Sequence, residues 1–334
     1  MSKTSQMRAA YGLGSYRFEL RDVPVPKPTE GQALIRVKAC AICGSDKHEQ
    51  GQSKVADRIS GHEISGIVEE IAGPEAGLQP GEQVAVAPLW YCGECKYCAL
   101  GRTSLCLKPS GVIGYGKSGG FAEYMVAPTR TLCPKPETIS FHEAALTEPL
   151  AVAVRGVSLV DVSGHDCIVF GAGAIGLMLA QVLEVRGANQ IYIVDIDEQH
   201  LALARELGQF STIQANDTDQ WEQLEKGDVR VGFDAVGRAP SVTQKAVEVV
   251  NRGGSCVLIG TQDPDVLKAT GFERKNVSLL FSVGVHMSEM TEANRLMEEG
   301  KVDVKPLFSG VFSLDQIEEA FEAARKGIKV ILEP

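Results

Sequence analysis

The sequence predicts an α/β fold in two parts. A β-rich domain spans residues 1–150, a doubly wound parallel sheet spans 151–285, and residues 286–334 return to the first domain. Three observations predict this. The first 150 residues carry short alternating runs broken by Gly and Pro. From Cys167 onward, six short apolar runs recur, with helical patterns between most of them. Directly after the first of those runs stands a glycine motif, Gly171-Ala172-Gly173-Ala174-Ile175-Gly176.

In the first domain, Ala33–Lys38, Ile64–Ile71 and Gln83–Ala87 alternate apolar with polar residues, the period of strands in a barrel-like sheet. In the second, Cys167–Phe170 reads as a buried strand and Ala174 to about Arg186 as the helix after it. Ile191–Val194, Ser211–Gln214, Val231–Ala235, Cys256–Gly260 and Val277–Ser282 are the later strands. Glu198–Leu207, Thr218–Glu225 and Ser241–Val250 are helices between them. Six strands complete a doubly wound sheet. A helix at Met290–Glu299, a strand at Phe308–Phe312, a helix at Asp315–Lys326 and a strand at Lys329–Leu332 therefore belong to the first domain.

The 334 residues are enough for two cores, and 44% apolar content is ordinary for a globular protein. A net charge of −10 with no basic run speaks against a nucleic acid partner. No window approaches the roughly 18 apolar residues of a membrane span. MSKTSQMRAAYGLG lacks the apolar core of a signal peptide. Of nine cysteines, four crowd into Cys92–Cys106, which reads as metal binding in a reducing compartment, hence the cytoplasm.

The glycine motif carries chemistry through its context. Gly171 permits a tight turn, Gly173 lets the backbone approach a pyrophosphate, and Gly176 lets the helix pack closely on the strand. Ala174 and Ile175 open the helix, whose N-terminus presents N–H groups and positive dipole charge to phosphates. Asp195 closes the next strand nineteen residues after Gly176, where it can accept hydrogen bonds from both adenine-ribose hydroxyls. It would repel a 2′-phosphate, and Ile196 and Asp197 supply no cation, so NAD is expected over NADP. His200 is placed near the ribose.

Two groups suit metal ions. Cys92, Cys95, Cys98 and Cys106, in a lobe at about 88–108, form a four-thiolate knuckle. Four thiolates fill a tetrahedral zinc and leave no open position, so this site is structural; an iron–sulfur cluster is compatible with the spacing. Cys43, His62, Glu63 and Glu148 are dispersed, but a thiolate, an imidazole and carboxylates are the ligand types of a catalytic zinc. Singly each has a bland reading, as a core thiol, a turn histidine or surface charges. Cys40, Cys133, Cys167 and Cys256 read as small core residues.

The chain resembles the zinc-containing medium-chain alcohol dehydrogenases, particularly their polyol (sorbitol-type) and threonine dehydrogenase branch. The resemblance rests on CGSD-x-H at 43–48, GHE at 61–63, the four-cysteine lobe, GGFAEY at 119–124, EPL at 148–150, GAGAIG at 171–176 and Asp195. It implies a GroES-like catalytic domain interrupted by a Rossmann nucleotide domain, and two zincs per chain. It implies that Cys43, His62 and Glu63 hold the catalytic zinc, with Glu148 as a fourth ligand or as holder of a water. Ser45 and His48 match the proton-relay positions, Ser45 taking the substrate's hydroxyl proton and His48 passing it to solvent. The carbon bearing the hydroxyl gives its hydride to the nicotinamide. Ile259, Gly260 and Thr261, with Ser282, Val283 and Gly284, fall at the last two strand ends, where the nicotinamide is expected. A homo-dimer or homo-tetramer is expected, with Val277–Ser282 as the sheet edge paired across a two-fold axis.

The leading reading is an NAD-dependent dehydrogenase converting a secondary alcohol on a polyol, sugar or cyclitol-like small molecule to its ketone. The alternative is a threonine or amino-alcohol 3-dehydrogenase on the same machinery. A non-catalytic NAD-binding regulator would lack ligands or relay residues, and none is missing. The chain departs from the family pattern in two places. The loop between His48 and Gly61, EQGQSKVADRIS, is short, and SVGVHMSEM after Phe281 lacks the sorbitol-type Arg. Lys47, Glu49 and His286 are further candidates to face substrate.

Overall fold

A computed structural model describes every residue except 1–4, 56, 74–76, 218–220, 222–223, 225–227, 238 and 261–271, and the backbone alone of Phe272. The chain divides into two compact units. One comprises Met1–Glu148, Val285–Glu298 and Leu307–Pro334, the other Pro149–Gly284 and Glu299–Pro306.

In the first unit, strands Phe308–Ser313, Lys329–Glu333, Gln32–Ala41, Glu63–Ala72, Gln83–Val86 and Leu132–Pro134 lie side by side, and Tyr124–Pro128 also pairs with Gln32–Ala41. Pairing of Ile331 with Ala41 and of Ala41 with Glu63 brings the last strand, the Cys43 end of one strand and the Glu63 end of another together. Helix Ile317–Lys326 packs on this sheet. Its Ile317, Ala320, Phe321 and Ala324 recur at three- and four-residue spacing and are buried. Phe121 and Phe321 meet edge to face in the core, ring centroids 5.8 Å apart.

The second unit is a six-stranded parallel sheet. Its order is Ser211–Gln214, Ile191–Asp195, Asp166–Phe170, Val229–Asp234, Ser255–Ile259, Ser278–Ser282. In chain order that is 3-2-1-4-5-6, the doubly wound Rossmann arrangement. The first strand is buried over Cys167–Phe170, and helix Ala174–Val185 buries every residue from Gly176 to Leu183 against the sheet. The fold is therefore α/β, a GroES-like β-rich unit with a Rossmann unit.

Element ends differ from the sequence expectations by a few residues, where side chains close the first turns. Helix Met287–Glu298 starts three residues before Met290 because Glu289 accepts from the His286 N–H at 2.6 Å. A capping box at Ser313 closes a 3₁₀ turn over Leu314–Gln316 before helix Ile317–Lys326 begins. Most of the helix expected at Thr218–Glu225 lies outside the described residues. No helix among the described residues is long and apolar enough to cross a membrane.

Candidate active site

Helix Gly44–Gln50 starts at Cys43, whose N–H donates to Asp46 Oδ2 at 3.0 Å. That bond pins Asp46, and its Oδ1 lies 3.6 Å from His62 Nδ1. His62 sits at the mouth of strand Glu63–Ala72, after Gly61 at φ +89°. A side chain at Gly61 would strike Phe121 at 2.7 Å and Cys40 Sγ at 2.8 Å, so only glycine fits. Ligand atoms of Cys43, His62 and Glu63 all fall within 4.8 Å of one another. His62 Nδ1 is buried with no hydrogen-bond partner. Burial alone would lower the His62 pKa, but the Asp46 and Cys43 charges outweigh it and raise it well above the ordinary value. A thiol, an imidazole and a carboxylate converging where positive charge is favoured fit zinc.

Glu148 stands in the first turn of helix Thr147–Ser158, outside that convergence but in its field. Burial pushes its carboxyl up to about 7; Glu63 and Asp46 act in the same direction, while His62 and Lys329 pull it back. Ser45 is half-buried and His48 exposed. Three positions apart on one helix, they share a face.

Sequence reasoning missed two residues here. Asp46 lies in the CGSD motif, and only the fold shows it beside His62. Lys329 is buried and bonds both carboxylate oxygens of Glu63. A lysine heading a strand whose next three residues are apolar was the available signal, because a lysine buried there requires an acid. Of the three further candidates, Lys47 donates to the Ala324 carbonyl at 2.9 Å. His286 Nδ1 accepts from the Ser104 N–H at 3.1 Å. Glu49 pairs with Arg58.

The lobe cysteines also converge, all four sulfurs within 4.8 Å. Cys95–Cys98 and Cys92–Cys98 sulfur separations are 3.5 and 3.9 Å. Zinc–sulfur bonds of about 2.3 Å put tetrahedral sulfurs about 3.8 Å apart. One ion fits, whereas a cluster ligates its thiolates on different irons. Cys106 Sγ accepts from the Cys92 and Lys108 N–H groups, and Cys92 Sγ from the Cys95 N–H. Backbone N–H groups of Leu107 and Cys98 bring the Cys95 thiol down to about 6, while burial pushes Cys98 up to about 12. Cys40, Cys133, Cys167 and Cys256 are buried and free.

In the second unit, Gly171 has φ +97°. A Cβ at Gly176 would lie 1.7 Å from the Gly171 carbonyl oxygen; at Gly173 it would meet nothing within 4 Å. Close packing thus requires one glycine, and the other leaves open space at the N-terminus of the helix that begins with Ala174 and Ile175. A cavity of about 670 Å³ borders Gly171, Gly173, Asp195 and His200. Asp195 accepts from the Ala172 N–H at 2.6 Å and the Asp197 N–H at 2.9 Å, with His200 Nδ1 at 3.9 Å. Burial would raise its pKa; His200 and the two N–H groups outweigh that and lower it. At the far strand ends, Gly260 N–H donates to the Ser282 carbonyl at 2.9 Å. Ser282 Oγ is buried with no hydrogen-bond partner. Ile259 is buried, Val283 is exposed, and Gly260 and Gly284 have φ of +75° and +71°. Thr261 lies outside the described residues. The open glycine, the cavity and the serine hydroxyl without a partner fit a dinucleotide.

A Cys/His/carboxylate cluster and a closed thiolate lobe on a GroES-like unit, with a Rossmann unit, define a zinc-dependent nicotinamide-nucleotide dehydrogenase. Residues 29–137 match the alcohol dehydrogenase GroES-like domain and residues 174–299 the zinc-binding dehydrogenase family. The chain belongs to the zinc-containing medium-chain alcohol dehydrogenases, in the polyol and threonine dehydrogenase branch, and is an oxidoreductase acting on CH–OH. It is 32% identical over 325 residues to an L-threonine 3-dehydrogenase of Rhizobium etli, covering 92% of each chain. Three solved structures are similar. One is the rspB alcohol dehydrogenase of Escherichia coli complexed with NADH (TM-score 0.90, 25% identity, 99% and 100% coverage). Another is a zinc-binding dehydrogenase of Sinorhizobium meliloti bound to NADP (0.87, 26%, 99% and 100%). The third is galactitol-1-phosphate dehydrogenase of Escherichia coli (0.89, 26%, 98% and 100%).

Proposed function

We propose that the chain oxidises a secondary alcohol on a polyol, sugar or cyclitol-like molecule to the ketone, with NAD as hydride acceptor. The convergence of Cys43, His62 and Glu63 within 4.8 Å, beside the buried carboxyl of Glu148, carries this reading. Cys43, His62 and Glu63 would hold one zinc, with Glu148 as a fourth ligand or as holder of a water, and Cys92, Cys95, Cys98 and Cys106 would hold a second. When bound, the first supplies Lewis-acid polarisation of the substrate hydroxyl. Asp46 orients the His62 ring and Lys329 fixes the Glu63 carboxylate. Ser45 takes the hydroxyl proton and His48 hands it to solvent. Ile259, Gly260 and Thr261, with Ser282, Val283 and Gly284, would hold the nicotinamide, which when bound would supply the acceptor for the hydride of the substrate carbon.

NAD is favoured by the ionised Asp195 on the nucleotide cavity; Lys245 borders the same cavity, so the preference is graded. A second substrate reading, L-threonine or an amino alcohol, is favoured by the Rhizobium etli relative. Outer strand Ser278–Ser282 carries exposed Phe281, with exposed Val283 beyond it, which supports pairing of copies into a dimer or tetramer. Nine free cysteines support a reducing cytoplasm.

NADH formation across polyols, cyclitols, sugar phosphates, amino alcohols and L-threonine, with zinc assayed on the same sample, tests the reading. Turnover on a polyol-class substrate with two zincs per chain is expected. Turnover on L-threonine alone would transfer the assignment to the second reading, and absence of zinc would remove the first.

A further inference from the structure

The two ends of the loop between His48 and Gly61 fix a side chain at the Cys43–His62–Glu63 cluster. Arg58 donates from Nε to the Gly114 carbonyl at 2.7 Å and pairs through its guanidinium with Glu49. The same guanidinium lies 5.6 Å from the centroid of the Tyr115 ring. Tyr115 occupies the tip of the turn Val112–Lys117. Gly114 N–H donates to the Lys117 carbonyl at 2.8 Å and Tyr115 N–H to the Val112 carbonyl at 3.2 Å, with Gly114 at φ +80°. Turn and cation together hold the ring. Its centroid is 5.7 Å from that of His62, the planes tilted by 41°. Its phenol lies in the surroundings that Ser45, Asp46, His62 and Cys43 share. It nevertheless remains 40% exposed, so the ring keeps an open side. Tyr115 thus stands ring to ring with a candidate metal ligand while lying outside that ligand's motif.

We propose that Tyr115 is a specificity-determining residue of this site. Its phenol hydrogen-bonds a second hydroxyl adjacent to the carbon being oxidised, and so selects vicinal diols and polyols over lone alcohols. The Glu49–Arg58 pair braces the Tyr115 ring. A site that hydrogen-bonds a substrate hydroxyl discriminates against the analogue lacking it, because that bond is then lost. This inference rests on reading the cluster as the dehydrogenase centre.

Tyr115→Phe removes the hydroxyl and keeps the ring. Wild type and Y115F are compared on 2,3-butanediol and on 2-butanol, with zinc content and the NADH dissociation constant measured on the same samples. Y115F is expected to lose about tenfold of the diol preference in kcat/KM, chiefly through KM. Zinc content and NADH affinity are expected to stay at wild-type values. An unmoved diol preference overturns the proposal, and so does a Y115F that loses zinc or NADH affinity, since the role would then be structural. Wild type that holds zinc but oxidises no alcohol of the wider panel overturns the dehydrogenase reading, and the proposal falls with it; wild type that turns over other alcohols of the panel but not 2,3-butanediol sinks the proposal alone. Turnover with an unmoved ratio sinks the proposal alone.

Discussion

Lys329 Nζ donates to both carboxylate oxygens of Glu63, at 2.5 Å to Oε1, although 266 residues separate the two in the chain. Both are buried. Burial alone would lower the lysine pKa, and the Glu63 charge beside it reverses that and raises it. Breaking a buried pair by removing one partner strands the other charge, at about 3–5 kcal/mol. Lys329→Met should therefore lower unfolding stability by about that amount. Lys329→Met combined with Glu63→Gln should recover part of it, as read from urea unfolding of the four proteins of the cycle. Additive losses would show that the two residues do not act as a pair.

Cys43→Ala should abolish alcohol oxidation and lower zinc content by one equivalent, while NADH binding, measured by fluorescence, stays near that of wild type. The nucleotide cavity and Cys43 belong to different compact units. A matching loss of NADH affinity would remove Cys43 from its assigned role.

Asp195→Ala should reduce the preference for NAD over NADP by about tenfold or more, which titration calorimetry with both nucleotides would read. Asp195 also gives a pH signature. Its folded pKa lies below the ordinary 3.8, so its contribution to stability is present above 3.8 and is lost as pH falls through the folded value. The stability gap between wild type and D195N should be constant near neutrality and close on acidification. A gap that widens there would contradict the two N–H bonds as its cause.

Two glycines of one motif should behave differently. Gly176→Ala places a methyl 1.7 Å from the Gly171 oxygen and should cost about 1–3 kcal/mol or more in thermal unfolding. Gly173→Ala meets nothing within 4 Å; the protein should fold normally and bind NADH more weakly, because the methyl occupies the approach of the pyrophosphate. Equal stability of the two variants would refute the packing role of Gly176.

Chelation that strips the lobe, or Cys98→Ser, should release one zinc equivalent and expose Cys92–Cys106 to trypsin at the exposed Lys96 and Arg102. Persistent trypsin resistance without metal would mean that the lobe is held by its own packing.

Much of this was legible in the sequence because local rules carried it. The Rossmann strands are apolar runs, the glycines have steric causes, and the lobe cysteines are close in the chain. The legible part ends where long-range register decides. Lys329 meets Glu63 because Ile331 pairs with Ala41 and Ala41 with Glu63, and no local pattern encodes that adjacency. Tyr115 reaches His62 through a turn whose sequence reads as an ordinary Gly-rich connection. Asp46 was visible in its motif without a role, since helix capping and ring orientation cannot be told apart before the helix is placed.

Lys329 stands in the final strand, and this gives synthesis a direction. Cys43, His62 and Glu63 leave the ribosome early, but the lysine that meets Glu63 follows 266 residues later. Until residue 329 has been made, burying the Glu63 carboxylate means burying it without its lysine, which is unfavourable. The centre is thus closed by two segments made far apart in time, and its last charge to be placed is a cation.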